Sequence, residues 1–264
     1  KHMNADTYRF DGAISSETLT AYLAHAVTFN GAPGSPDWDD DIRMIRETGA
    51  LFLGRAAYVW VMPEGGARGD ELQFELARDF ARSVHDADPR VILQACIFES
   101  IYPEIDSIAI PPWVFDEFGD EPEERTFRFA ETHDRERRDE YAWSFGSGGT
   151  CPDITKRETR YWFYYRARRY IDAGYEAVHL SQPHMYADRD PGYTVLADAC
   201  RRILQHLVDR AVRQLRARDH RRVRIVGVEI HGNLQPVADE PHCRLVHGNR
   251  LAEHPHHLQR GLPP

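Results

Sequence analysis

The chain has 264 residues, 42% of them hydrophobic, and 33 basic against 42 acidic residues give it a formal net charge of −9. Basic residues are scattered among acids, which argues against a nucleic-acid footprint, and no apolar run approaches the ~20 residues of a membrane span. The expectation is a soluble, cytoplasmic globular protein: Lys1-His2-Met3 lacks the apolar stretch of a signal peptide and reads as an expression-tag scar. Only Lys1 and Lys156 are lysine, a skew toward arginine most simply ascribed to a GC-rich genome. Cys96, Cys151, Cys200 and Cys243 show no C-x-x-C spacing and read as reduced thiols.

In chain order, Tyr8 to Gly12 reads as a first strand and turn. A helix follows from Ser15 or Ser16, with Leu19, Tyr22, Leu23 and Ala26 on one face. Asn30 to Trp38 is a Gly/Pro loop, after which Asp39-Asp40-Asp41 caps a short helix that stops at Gly49. The same aspartates resemble a magnesium–diphosphate cluster, but acids at a helix start are ordinary and the capping reading is preferred. Leu51 to Trp60 reads as a buried strand, Asp70 to His85 as an amphipathic helix, and Arg90 to Glu99 as the next strand, together a β-α-β unit.

From Ile105 to Asp153 the pattern is irregular. Pro111 and Pro112 keep this stretch out of a central strand, so it reads as a long excursion over a barrel mouth, with a short strand within Thr126 to Ala130. Helix resumes from Ile154 to Ala173, then a strand at Glu176 to Leu180, a helix from Thr194 to Arg218, and a strand from Arg222 to His231. The tail from Gly232 is rich in histidine and proline. Its histidines lack metal-ligand spacing, and Ser147-Gly148-Gly149 lacks the lysine of a phosphate loop.

Alternating strands and helices without a Gly-rich nucleotide loop predict an α/β protein, a TIM-type (β/α)8 barrel, incomplete or modified at its C-terminal end, in a single domain over 1–264. Four or five strands are legible where a closed barrel needs eight. Open sheet edges then point to a homodimer.

Strand carboxyl ends face the ligand crevice in such folds, which singles out Glu99 and Glu229 as catalytic candidates. Desolvation there would keep one carboxyl protonated as acid while the other stays ionised as base or nucleophile; the alternative is that either pairs with an arginine at the rim. Arg55 interrupts an apolar strand and must find an anion, either a substrate carboxylate or a structural partner. His179 and Gln182 fall at another strand end, and His231 forms a Glu-x-His pair with Glu229, readable as a metal half-site or an acid with its orienting partner. Tyr58, Trp60, Tyr102, Trp113 and Trp143 are placed to stack on a ligand, whereas Tyr161 to Tyr165 lie within a helix and serve packing.

Phe52-Leu53-Gly54-Arg55-Ala56-Ala57-Tyr58, Ile92 to Glu99, Ile110-Pro111-Pro112-Trp113-Val114-Phe115, Pro152-Asp153-Ile154-Thr155-Lys156 and Tyr170 to His179 together resemble a group of bacterial proteins with a glycoside-hydrolase-like TIM barrel. The resemblance spans roughly residues 8 to 231 and implies that Arg55, Glu99, Asp153, Gln182, Glu229 and His231 occupy the mouth. It supports fold more than reaction. The function expected is an enzyme acting on a carbohydrate or glycoside without a cofactor or metal. The alternatives are cyclisation, elimination or isomerisation of a small metabolite on the same carboxylates, or a sugar-binding protein without catalysis.

Overall fold

The computed structural model describes residue 8 and residues 12–29, 37–60, 65–145, 148–216, 224–225 and 227–230. Its elements run β1 (Gly12–Ala13), α1 (Ser16–Leu23), β2 (Ala26–Thr28), α2 (Trp38–Thr48), β3 (Phe52–Ala57), α3 (Ala67–Ala87) and β4 (Ile92–Ile97). After these come α4 (Pro112–Phe118), α5 (Arg135–Phe145), α6 (Arg157–Ala173), β5 (Ala177–Leu180), α7 (Pro183–Tyr186), α8 (Thr194–Arg216), β6 (Arg224–Ile225) and β7 (Gly227–Ile230).

Five strands pair in the order β2-β3-β4-β5-β7, all parallel, and β6 pairs in parallel with β1 as a two-stranded sheet. This establishes an α/β architecture with a parallel sheet. No helix among the described residues is long and apolar enough to cross a membrane.

Several local expectations hold for identifiable reasons. The Ser15 side chain accepts from the Thr18 amide at 3.1 Å and starts α1. The helix expected at Asp39-Asp40-Asp41 is present, but it starts at Trp38 and its cap is Asp37, which accepts from the Asp40 amide and leaves the three aspartates in the first turn as the dipole favours. Gly49 ends the helix in the left-handed region at φ 68°.

Other expectations needed correction. Ala26 belongs to β2 rather than to the first helix, because α1 ends at Leu23 and the chain turns into the sheet beside β3. The Pro111-Pro112 segment forms α4, with Pro112 at the first helical position where its missing N–H costs nothing. Of the short strand expected near Thr126, a single antiparallel bridge to Ala109 is present.

The strand faces divide the core. Leu53, Leu93, Ala95, Ile97, Val178 and Leu180 pack with residues of α3 and α6, while Phe52, Ile92 and Ala177 on alternate positions form a separate cluster with Tyr8, Tyr22 and Leu51. Tyr22 fastens that floor by donating to the carbonyl oxygens of Tyr8 and Arg90, at 3.1 and 3.0 Å.

Behind β4, α3 and α6 are joined by a buried ion pair between Asp70 and Arg166. Tyr165 donates to the other Asp70 oxygen at 2.7 Å, and Arg166 donates to the Tyr170 hydroxyl at 2.7 Å. The Arg166 guanidinium also lies 4.4 Å from the centroid of the Phe74 ring. Burial and the Asp70 carboxylate push the Tyr165 phenol above its ordinary value, so it stays a donor. Replacing Asp70 by Asn leaves Arg166 buried without its counter-charge and is expected to cost about 3–5 kcal/mol in urea unfolding. A loss below ~1 kcal/mol would show the pair to be dispensable.

The excursion after β4 is pinned by two backbone hydrogen bonds of 2.9 Å between Ile101 and Thr150. Next to this bridge a Cβ at Gly149 would stand 2.4 Å from the Tyr102 ring, so the close approach requires glycine. Gly149→Ala is expected to destabilise the fold by about 1–3 kcal/mol through overpacking, measured by thermal or urea denaturation, with an unchanged midpoint counting against the close contact.

Candidate active site

Glu99 follows β4 by two residues and is 1% exposed. Its carboxylate is held by neutral donors: Gln182 Nε2 donates to Oε1 at 2.6 Å, and the Ser181 hydroxyl donates to Oε2. No arginine pairs with it among the described residues. Ser181 and Gln182 are available because β4 and β5 are adjacent and in register, Ile97 opposite Leu180, so the two strands end side by side. Gln182 adopts the left-handed conformation, φ 35° and ψ 56°, where the chain leaves β5 for α7. A non-glycine residue there is strained, and its tight bond to Glu99 accompanies that strain.

Below Glu99, the face opposite α3 and α6 becomes progressively polar toward the carboxyl ends of the strands. Phe52, Ile92 and Ala177 form the floor, Gln94 comes next, and then Cys96 and His179. Cys96 Sγ lies 3.4 Å from His179 Nδ1, and both residues are buried. The parallel register sets Cys96 opposite His179 and His179 opposite Glu229, a row of three positions across β4, β5 and β7. By its backbone, Glu229 is level with Cys96, three residues before Glu99. His231 lies outside the described residues.

At the neighbouring strand end, Tyr58 and Trp60 meet the Phe98 ring edge-on, with centroids 5.1 and 4.7 Å away. Trp60 is 41% exposed, and its carbonyl accepts from the Ser100 hydroxyl at 3.0 Å. A cavity of about 20 Å³ is lined by Trp60, Cys96, Phe98, Tyr102, Trp162 and Arg166 among others. That volume holds about one water.

Arg55 occupies an irregular stretch of β3. Leu53 is opposite Leu93 while Ala57 is opposite Ala95, so β3 spends four residues where β4 spends two. Arg55 sits inside this bulge at φ 58°, and its guanidinium lies 4.9 Å from the Phe98 ring centroid and 5.5 Å from that of Tyr58.

Two other candidates have local duties. Asp153 is buried and accepts from the Thr155 amide and hydroxyl at 2.8 and 2.7 Å, a turn leading into α6. Trp113 stacks on Tyr165 with ring centroids 5.9 Å apart and carries Arg168 over its face at 4.2 Å, so α6 takes up its ring. Cys151 is also structural: burial pushes its thiol up to about 12, keeping it protonated beside Arg137. Among the described residues no three His, Cys, Asp or Glu side chains gather to hold a metal.

Sequence reasoning did not single out Cys96, Phe98 or Ser181. Cys96 and His179 are 83 residues apart, and nothing local marks their pairing. Ser181 was flanked by the chosen His179 and Gln182, and its place beside a strand end was the available signal.

No protein-family model matches the chain, and no curated protein sequence matches it. The backbone at Arg55 supplies a test independent of ligand. At a left-handed position glycine is less strained than alanine, so Arg55→Gly is expected to be about 1 kcal/mol more stable than Arg55→Ala, the reverse of the usual strand order. Urea unfolding of the two variants measures this difference.

Proposed function

We propose that the chain is a barrel-type enzyme acting on a carbohydrate or glycoside, with Glu99 as its acid/base residue. The observation that carries this reading is the state of Glu99: a buried carboxylate beyond a strand's carboxyl end, held by a hydroxyl and an amide instead of a guanidinium. Neutral donors fix its geometry without setting a full positive charge against it. The aromatic surface of Tyr58, Phe98 and exposed Trp60 at the adjoining strand end suits the flat apolar face of a sugar ring.

The sequential order of parallel strands, with β6 returning to pair with β1, supports the TIM-type (β/α)8 reading in modified form. In this proposal Glu229 is the second carboxylate, working from the row that holds Cys96 and His179. Gln182 and His179 position Glu99 and the ligand, and Arg55 contacts the ligand directly.

The test is turnover of a panel of nitrophenyl glycosides. Glu99→Gln is expected to lower kcat by about 10²–10⁴-fold while the dissociation constant for the best substrate stays within a few-fold. Full activity in a folded Glu99→Gln variant, or no turnover of any glycoside by the unmodified protein, would remove the proposal.

A further inference from the structure

We infer that Arg55 is an anion subsite, so the ligand of this mouth carries a carboxylate or phosphate group. The inference rests on the carbohydrate reading above for the remainder of the ligand, and makes that ligand an acidic sugar.

Among the described residues the buried guanidinium groups of Arg137 and Arg166 close on Asp188 and Asp70, and that of partly buried Arg125 closes on Glu158 at 2.9 Å. Arg55 makes no ion pair among the described residues, and its buried Nε has no hydrogen-bond acceptor there. Glu99 does not serve: among the described residues its partners are Gln182 and Ser181, and no ion pair joins it to Arg55. What Arg55 has instead is the faces of Phe98 and Tyr58. Ring faces attract the cation and orient its plane, but they do not satisfy N–H groups that point outward within that plane. The buried Nε–H calls for an oxygen acceptor, and a guanidinium fork matches a carboxylate or phosphate.

The backbone makes an accidental placement harder to sustain. A regular strand would have needed neither the bulge between Leu53 and Ala57 nor a positive φ at Arg55. Both re-aim a side chain that strict alternation would have sent to the face of Leu53, toward the helices. The result places a fixed cation beside the aromatic group that includes exposed Trp60, an arrangement able to grip an acidic substituent while the sugar ring lies on the indole.

The experiment is equilibrium binding by calorimetry at low salt, using gluco- and galacto-configured methyl glycosides, the matching methyl uronides and the matching sugar 6-phosphates. Benzoate is added as a sugar-free acid. At least one acidic sugar is expected to bind about tenfold or more tightly than its neutral counterpart, the uronide and phosphate arms deciding which oxyanion is taken. Arg55→Met should bring that ratio to within about twofold, and Arg55→Gln provides the same readout should the methionine variant fail to fold.

Equal affinity for neutral and acidic sugars would overturn the subsite and leave the carbohydrate reading in place. So would a preference that survives in a folded Arg55 variant. Arg55-dependent binding of benzoate without any sugar binding would support the subsite and remove the carbohydrate reading. Absence of binding by every probe would overturn both.

Discussion

The ion pair between Asp70 and Arg166 is the contact on which the packing behind the sheet depends. Two charges withdrawn from water are tolerated only when their remaining valences are met. Tyr165 and Tyr170 meet them, and the rings of Phe74, Trp162 and Tyr170 lie within 5.5 Å of the guanidinium. This explains the aromatic run on α6. Trp162, Tyr164 and Tyr165 are buried because they form the wall in which that charge is housed and against which α4 stacks. With α6 fixed against α3, the ends of β4 and β5 in front of them are held side by side, and Glu99 can reach Ser181 and Gln182.

A second constraint acts on the opposite face. Parallel register forces residues at matched positions of neighbouring strands onto one side of the sheet. Apolar residues fill the amino-terminal half of that side and polar ones the carboxyl-terminal half, from Phe52, Ile92 and Ala177 through Gln94 to Cys96 and His179. Polarity therefore rises toward the end where helices and loops enter, which is where a ligand approaches in parallel α/β proteins. The irregularity of β3 fits this gradient. Its bulge turns Arg55 away from the helix-facing core, where an unpaired cation would be costly, toward the rings at the strand ends.

Much of this was legible in the chain itself. Hydrophobic periodicity marked α3, α6 and α8, and the apolar runs marked β3, β4 and β5. Glycines 49 and 174 marked helix ends, because a turn of left-handed or related conformation follows from local sterics alone. β2 was hidden, since Ala26 to Thr28 is three residues long and follows a helical pattern without a break. The local contacts of Asp153 and Trp113 were not legible, because a short sequence segment does not reveal whether a carboxylate bonds its own turn or an indole stacks on a neighbouring helix.

The sequence by itself determined the segments that become β3, α3, β4, α6, β5 and α8, that strands and helices alternate as an α/β protein, and that Glu99 and Gln182 fall at strand ends. These follow from local propensity and from periods of 2 and 3.6 residues. Only the tertiary structure decided that Glu99 bonds Ser181 and Gln182, that Cys96 meets His179, and that Arg55 leaves the regular strand to lie over Phe98 and Tyr58. The physical reason is register: partners 83 residues apart are chosen by which strands pair and by a bulge that shifts their alignment, and neither is encoded in any local stretch of the chain.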